Sequence, residues 1–440
     1  METPGSATPN VVVVGTGYVG LTTGAALAHL GANVVCCDVD ARKIEMLVDG
    51  RIPIFEEGLA ELIAPSRQAG RLRFELGVEG SVGDADIVFL CVPTPQDDDG
   101  SADLTYVRAA AREISSLLKP GAIVVNKSTV PVGSVGVVGE ALDRDDVAVV
   151  SNPEFLREGS AVHDCLHPDR VVIGAHDRAA AQKVADLYAG LDTTFVFTDP
   201  TSAELIKYAA NGFLAMKISF INSVAALCEH VDADVASVVA GIGSDRRIGN
   251  SFLNPGPGWG GSCFPKDSRA LVSTAAQYGY DFSLMRGVID INEQQYERMT
   301  QKVVRAAGGT GRALDDVVVG VLGLTFKAGT DDLRESPSLR VISTLRQMGA
   351  TVRAYDPTAC GELTPVQRER LAGIELRPSA LDAAVDADVV AVFTEWAEFA
   401  SLDVAKLASV MRGNTIVDGR NMLDREAVRA SGLVYDGVGR

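Results

Sequence analysis

Cys263 has the neighbours of a working thiol. It lies in PGPGWGGSCFPKD, residues 255–267, with Lys266 and Asp267 close behind it. Such a glycine- and proline-rich turn is expected to expose backbone amides and leave little apolar cover. A helix beginning near Lys266 would add its positive end, and a cysteine between a lysine and a helix start is set up as a nucleophilic thiolate. The other six cysteines, Cys36, Cys37, Cys91, Cys165, Cys228 and Cys360, lie in apolar runs or lack a supporting motif. They are expected to be small buried side chains.

Lys207 and Asn211 stand four apart in AELIKYAANGF, so a helix would carry both on one face. An ammonium and an amide pointing together can hold an alcohol oxygen and stabilise the oxyanion formed from it. Taken in isolation such a Lys–Asn pair reads first as a solvated helix face, and it is the surroundings that favour the site. NPEFLREG at 152–159 brings Glu154 and Glu158 to a strand end, where doubly wound sheets bind ligands; the competing reading is a pair of surface carboxylates. KSTVPVG at 127–133 places Thr129 at another strand end, and FKAGTDDLRESPS at 326–338 gathers Lys327 and Arg334, a candidate diphosphate site. The five histidines have no metal-ligand spacing, and no metal is expected.

Residues 15–20 read GTGYVG, between a Val-rich run and a helix-like segment. Gly15 would make the tight turn, Gly17 would admit a pyrophosphate, and Gly20 would let the helix pack closely. A second strand ends at Asp38, whose carboxylate can accept hydrogen bonds from an adenosine ribose and repels a 2'-phosphate. NAD is therefore expected in preference to NADP, with Arg42 and Lys43 nearby as the only contrary charges. A glycine turn that merely packs is the alternative.

Short apolar runs at 11–14, 34–37, 87–92, 123–125 and 147–150 alternate with amphipathic stretches, which predicts a parallel sheet. Residues 202–231 and 282–307 read as long helices. Strand-like runs return at 317–323, 351–355, 388–393 and 415–417, and ADVVAVFTEW at 387–396 echoes ADIVFLCVPTP at 85–95. The expected fold is α/β: two doubly wound, Rossmann-like parallel-sheet domains joined by a helical central region. Expected boundaries are a disordered tail at 1–10, a dinucleotide-binding domain at 11–200, a helical domain at 201–308 and a second sheet domain at 309–440. GVLGLTFK at 320–327 lacks the glycine pattern, so the second sheet is expected to bind something other than a dinucleotide.

With 440 residues, 47% of them hydrophobic, the chain has core material for two or three domains. A net charge of -18 speaks against nonspecific nucleic-acid binding. An anionic substrate would need a local basic pocket. Seven scattered cysteines lack the spacing of a disulfide framework, and METPGSATPN has no signal-peptide pattern. No stretch is read as approaching bilayer-spanning length. A cytoplasmic protein without membrane or nucleic-acid partners is the expectation.

In order along the chain, GTGYVG, PTP at 93–95, STVPVG, NPEFLREG, Lys207 with Asn211, GGSCFPKD and FKAGTDDLRES resemble the UDP-glucose/GDP-mannose dehydrogenase family over essentially everything after residue 10. The resemblance implies an NAD-binding N-terminal domain, a helical dimerisation core and a UDP-binding C-terminal domain, assembled as a homodimer. It implies that a sugar 6-hydroxyl is oxidised to an aldehyde, caught by Cys263 as a thiohemiacetal, oxidised again to a thioester and released by water as the acid, with two NAD consumed. Lys207 and Asn211 would stabilise oxyanions, Asp267 would act with a water in proton transfer, and Glu154 would assist hydrolysis or position the sugar. Tyr18, Val19, Lys43, Thr94, Thr129, Glu158, Lys266 and Arg334 would join the glycines and Asp38 as cofactor contacts. Phe155, Leu156, Phe252, Leu253, Asn254, Gly256, Gly260, Lys327 and Arg420 would contact substrate, and Arg247 would reach the neighbouring subunit's substrate. Ser262 and Phe264 beside the cysteine resemble the UDP-glucose branch, which makes UDP-glucose the expected substrate; GDP-mannose and UDP-N-acetylhexosamines remain alternatives. A two-electron hydroxyacid dehydrogenase would need neither Cys263 nor a second sheet. A silent NAD-binding protein would be expected to lack Cys263, Lys207 or Asp267, and all three are present.

Overall fold

The computed structural model describes residues 8–97, 100–308 and 313–440. The tail read as disordered falls mostly on residues 1–7, outside the described residues. The chain divides into two compact units, Met1–Ala210 and Asn211–Arg440.

The first unit is built on eight strands: β1 (Asn10–Val14), β2 (Asn33–Asp38), β3 (Leu72–Leu76), β4 (Ile87–Leu90), β5 (Ile123–Asn126), β6 (Ala148–Ser151), β7 (Arg170–Ala175) and β8 (Thr194–Thr198). They lie in the order β3-β2-β1-β4-β5-β6-β7-β8. Val11 and Val13 pack into one apolar layer with Leu21 and Ala25 of the Tyr18–His29 helix, while Val12 and Val14 pack into the layer on the opposite face. Burial on both faces is why these strands read as unbroken apolar runs, and each fully buried Val or Leu contributes about 1.5–3 kcal/mol relative to exposure. The expectation of a wholly parallel sheet is corrected at one place: β6 pairs with β7 antiparallel. Strand order reverses between β1 and β4, which opens a crevice at their C-terminal ends.

The second unit repeats this plan with β9 (Val318–Leu322), β10 (Thr351–Tyr355), β11 (Glu375–Leu376), β12 (Val389–Val392), β13 (Thr415–Asp418) and β14 (Val434–Gly437). Their order is β11-β10-β9-β12-β13-β14, and all the pairings are parallel. The likeness between the halves extends to the turn after the first strand. Gly15 (φ 101°) donates its N–H to Cys37 O at 2.8 Å, and Gly323 (φ 91°) donates to Tyr355 O at 2.8 Å.

The two long helices run Pro200–Val231 and Ser283–Ala306. The first corrects the reading that no stretch approaches bilayer-spanning length: it has 32 residues and an 18-residue window of mean hydropathy 1.3. Its buried Glu204, Lys207, Asn211, Ser219 and Asn222 nevertheless all hydrogen-bond within the protein, as polar groups in a protein core must.

Candidate active site

At the β1 turn, geometry separates the roles of the glycines. A Cβ on Gly20 would lie 1.9 Å from Gly15 O, and one on Gly15 would lie 2.6 Å from Cys91 O, so both are required by packing. A Cβ on Gly17 would meet nothing within 4 Å. Gly17 precedes the Tyr18–His29 helix, whose start has no side-chain cap, and an uncapped helix start beside an unobstructed glycine is suited to a phosphate. The residues thus fit a dinucleotide. Asp38 at the end of β2 accepts from Thr16 N (2.8 Å), Thr16 Oγ1 (2.6 Å) and Asp40 N (3.0 Å), with Lys43 Nζ at 3.8 Å. Burial pulls its pKa upward, but these donors and the lysine outweigh it and hold the carboxyl below its usual value. Thr94 Oγ1 donates to Thr129 O (2.9 Å), which ties the loop after β4 to the loop after β5. Tyr18 OH accepts from Gly159 N (2.6 Å) and so links the glycine turn to the NPEFLREG segment; Glu158, its neighbour, is half-buried.

Beyond β6 lies a buried ion pair. Lys207 Nζ donates to Glu154 Oε1 at 2.9 Å, with the side chains 3% and 5% exposed, and Leu156 N donates to Glu154 Oε2 (2.6 Å). Desolvation raises the Glu154 pKa, yet Lys207 overcomes it and holds the carboxyl below its ordinary value. Lys207 also lies 5.4 Å from the centre of the Phe155 ring, which Arg170 stacks upon at 3.7 Å. The solvated-face reading of Lys207 and Asn211 is therefore excluded: both are buried.

Asn211 stands one turn further along the same helix and belongs to the second unit. Its Nδ2 donates to Asp267 Oδ2 (2.6 Å), and Lys266 Nζ donates to Oδ1 of the same carboxylate (2.7 Å). Asp267 is completely buried. The helix here runs Phe264–Gln277, two residues earlier than the expected start, with Cys263 as its cap residue and Asp267 N donating to Cys263 O at 2.8 Å. The thiol is half-buried, 3.5 Å from Ser262 Oγ. A sulfur at the first turn of a helix meets its positive end. One expectation is overturned: the glycine loop is not open, since Gly256 to Gly261 are all buried, packed by Trp259 and by close backbone approach. A Cβ on Gly260 would lie 2.0 Å from Glu335 O. Phe252 has φ 63°, Leu253 is buried and Asn254 exposed.

Arg420, after β13, donates to Phe393 O (2.8 Å) and Phe326 O (2.9 Å) and pairs with Glu395 (2.9 Å). This puts a guanidinium at the C-terminal ends of β9 and β12, the reversal point of the second sheet, 3.3 Å from where a Gly256 Cβ would lie. Lys327 Nζ lies 5.6 Å from the Phe326 ring centre, and Arg334 pairs with Asp332. Arg247 is exposed and paired with Asp245 at 2.6 Å. Asp356 directly follows β10, close to where Asp38 ends β2, but it is 1% exposed and accepts from Leu324 N and Trp396 Nε1. It is closed to a ribose, in keeping with a site unlike the first. Cys360 departs from the expectation of a buried thiol: it is exposed, and Cys165 is only half-buried.

Sequence reasoning missed three groups. Lys127 donates to Asn152 Oδ1 (3.0 Å) beside Tyr188, all buried, and burial pulls its pKa down. Glu204 accepts from Gly133 N (2.6 Å) and Val135 N (2.9 Å) at the start of the Ser134–Leu142 helix. Asn222, Asn292, Gln295 and Tyr296 bond to the backbone of the glycine loop. For Glu204, Asn222, Asn292, Gln295 and Tyr296 the sequence signal was polar residues at core-facing helical positions; Lys127 follows β5 and had no such periodic signal.

Models of three parts of one family match in order: UDP-glucose/GDP-mannose dehydrogenase family, NAD binding domain, at residues 9–192; its central domain at 201–294; its UDP binding domain at 320–425. The chain is 44% identical to the UDP-glucose 6-dehydrogenase of Rhizobium meliloti (strain 1021), over 98% of this chain and 99% of that one. It is 43% identical to UDP-glucose 6-dehydrogenase TuaD of Bacillus subtilis (strain 168), over 98% and 93%. Among solved structures, a UDP-glucose dehydrogenase from Pyrobaculum islandicum superposes with a TM-score of 0.91 at 37% identity, covering 100% of this chain and 99% of that one. A UDP-D-ManNAc dehydrogenase from Pyrococcus horikoshii gives 0.86 at 27% identity, covering 98% and 99%.

Proposed function

The chain belongs to the UDP-glucose/GDP-mannose dehydrogenase family, and we propose that it oxidises UDP-glucose to UDP-glucuronate in two steps at Cys263. It is an NAD-dependent oxidoreductase. The near-full-length identity to UDP-glucose 6-dehydrogenases supports the substrate. The observation that carries the chemistry is Cys263 at a helix start, four residues before a buried carboxylate held by Asn211 and Lys266.

Bound NAD supplies the hydride acceptor for both oxidations. Gly15, Gly17, Tyr18, Val19, Gly20 and Asp38 hold it, with Lys43, Thr94, Thr129, Glu158, Lys266 and Arg334 as further contacts. Lys207 and Asn211 stabilise the oxyanion as the 6-hydroxyl loses its proton, and Asp267 carries protons through a water. The Cys263 thiolate adds to the aldehyde carbon, whose oxygen takes up a proton to become the thiohemiacetal hydroxyl, and loss of that proton together with a second hydride leaves a thioester. Water, oriented by Glu154, attacks that carbonyl and the thiolate departs. Phe155, Leu156, Phe252, Leu253, Asn254, Gly256, Gly260, Lys327 and Arg420 contact the nucleotide sugar.

The same chemistry on a UDP-N-acetylhexosamine is the second reading, supported by the 0.86 superposition. Assays with NAD on UDP-glucose, GDP-mannose and UDP-N-acetylglucosamine decide between them: the UDP-glucose reading requires the highest kcat/KM on UDP-glucose and is refuted if another sugar exceeds it. We read the functional domains as 11–200 for NAD, 201–308 as the helical centre and 309–440 for the UDP-sugar. The assembly is a homodimer through the Pro200–Val231 helix, where Phe213, Phe220 and Leu227 repeat every seven residues and are 59%, 54% and 60% exposed. In it, Arg247 reaches the partner's substrate.

A further inference from the structure

The loop before Cys263 is rich in glycine, so its own backbone does little to fix its shape. The shape is set instead by amide and hydroxyl groups on two helices of the second unit. Gly256 N donates to Asn222 Oδ1 (2.8 Å), and Gln295 Nε2 donates to Gly256 O (2.8 Å). Trp259 is held at both backbone atoms: its N–H donates to Asn292 Oδ1 (2.9 Å), while its carbonyl accepts from Asn292 Nδ2 (3.0 Å) and Tyr296 OH (2.6 Å). Asn292 Nδ2 also donates to Tyr296 OH (2.7 Å). At the far end of the indole, Nε1 donates to Ser219 Oγ (2.9 Å).

Asn222, Asn292 and Gln295 are no more than 2% exposed, and Tyr296 is 8% exposed. Gly258 between the two anchored residues has φ 118°, and a Cβ there would lie 2.6 Å from the Tyr296 ring and 2.9 Å from Asn292 Oδ1. The helices and the loop therefore fit each other atom by atom. Asn222 keeps its Nδ2 donor unspent although buried. A core needs no such density of polar groups for stability, because apolar residues would fill the same space without desolvation cost. Fixing loop shape before substrate arrives is the return for it, since an ordered loop binds without losing backbone freedom at that moment.

We propose that Asn222, Asn292, Gln295 and Tyr296 are positioning residues that lock the Gly256–Trp259 peptides in the shape that receives the nucleotide sugar. The proposal rests on the reading that residues 252–256 contact that substrate. It locates a determinant of sugar affinity in four side chains that do not themselves touch the sugar.

Gln295→Met and Tyr296→Phe each remove one donor while keeping side-chain volume. In hydrogen exchange by mass spectrometry, peptides covering 254–262 should lose protection in both variants, with the first unit unchanged. In steady-state kinetics the KM for UDP-glucose should rise roughly tenfold, as for loss of one preorganising hydrogen bond, while the KM for NAD stays within about twofold. Unchanged loop protection, or an unchanged UDP-glucose KM in a loosened loop, overturns the proposal. So does a fall in kcat with both KM values unaltered, the pattern of a purely structural defect. Wild-type protein that fails to oxidise UDP-glucose refutes the substrate reading instead, and loop protection still judges the lock.

Discussion

On the proposed mechanism, the thiol at the helix start is needed for one oxidation and not for the other. Hydride loss from the alcohol carbon calls on groups that stabilise the developing oxyanion, whereas an aldehyde must first gain an adduct from which a second hydride can leave. Cys263→Ala is therefore expected to reduce acid formation by about 10³-fold or more, while a half-buried thiol on a cap residue contributes about 1 kcal/mol or less to folding. Denaturant unfolding beside product analysis checks both halves. Lys207 and Glu154 behave in the opposite way. Lys207→Met strands a buried carboxylate and should cost about 3–5 kcal/mol in urea unfolding, whereas adding Glu154→Gln should restore much of it; equal stability of the two variants contradicts the pairing. Cys263, Lys207, Asn211 and Asp267 were legible in the sequence because each sits in a short local pattern. Which of the candidates pair with one another was not. Lys207 meets Glu154 across 53 residues and Asn211 meets Asp267 across 56, and no local periodicity encodes such separations.

Elements place these residues through their ends. The glycine turn offers a clean contrast: Gly17→Ala enters open space and should keep the wild-type melting temperature while weakening NAD, whereas Gly20→Ala drives a methyl into Gly15 O and should lower stability by several kcal/mol. Calorimetry with and without NAD separates them, and equal losses of stability would refute the assignment. The Ser134–Leu142 helix has no side-chain cap of its own and borrows Glu204 from the Pro200–Val231 helix. Burial pushes Glu204 up to about 7 from a model-compound value of 4.5, against the pull of its amide donors. Because the folded value is raised, the stability it contributes is fully present below about pH 4.5 and is lost as pH rises through about 7. Glu204→Gln should therefore flatten the decline in melting temperature between about pH 5 and pH 8; an unchanged slope contradicts it. The buried strands β1, β4 and β5 were readable as apolar runs. β3, with LRFEL, and β8, with TFVFT, were missed because edge or half-exposed strands mix polar and apolar residues. The antiparallel β6–β7 pairing follows from the connection between them, to which composition is blind.

At the scale of the molecule, two sheets with the same reversal of strand order match an NAD binding and a UDP binding domain, and the acids after their second strands differ in access: Asp38 stands beside an open turn, and Asp356 is sealed by Trp396. The echo between 85–95 and 387–396 made that duplication visible in the sequence. The sealing did not show, because Trp396 and Asp356 lie 40 residues apart. The central claim is that one cysteine takes a UDP-sugar through both oxidations without release of the aldehyde. Its most direct test is the number of NADH formed per UDP-glucose consumed by the wild-type protein, read as absorbance against product at complete conversion. Two NADH with UDP-glucuronate as the only sugar product is the predicted result, and one NADH with free aldehyde accumulating would contradict it.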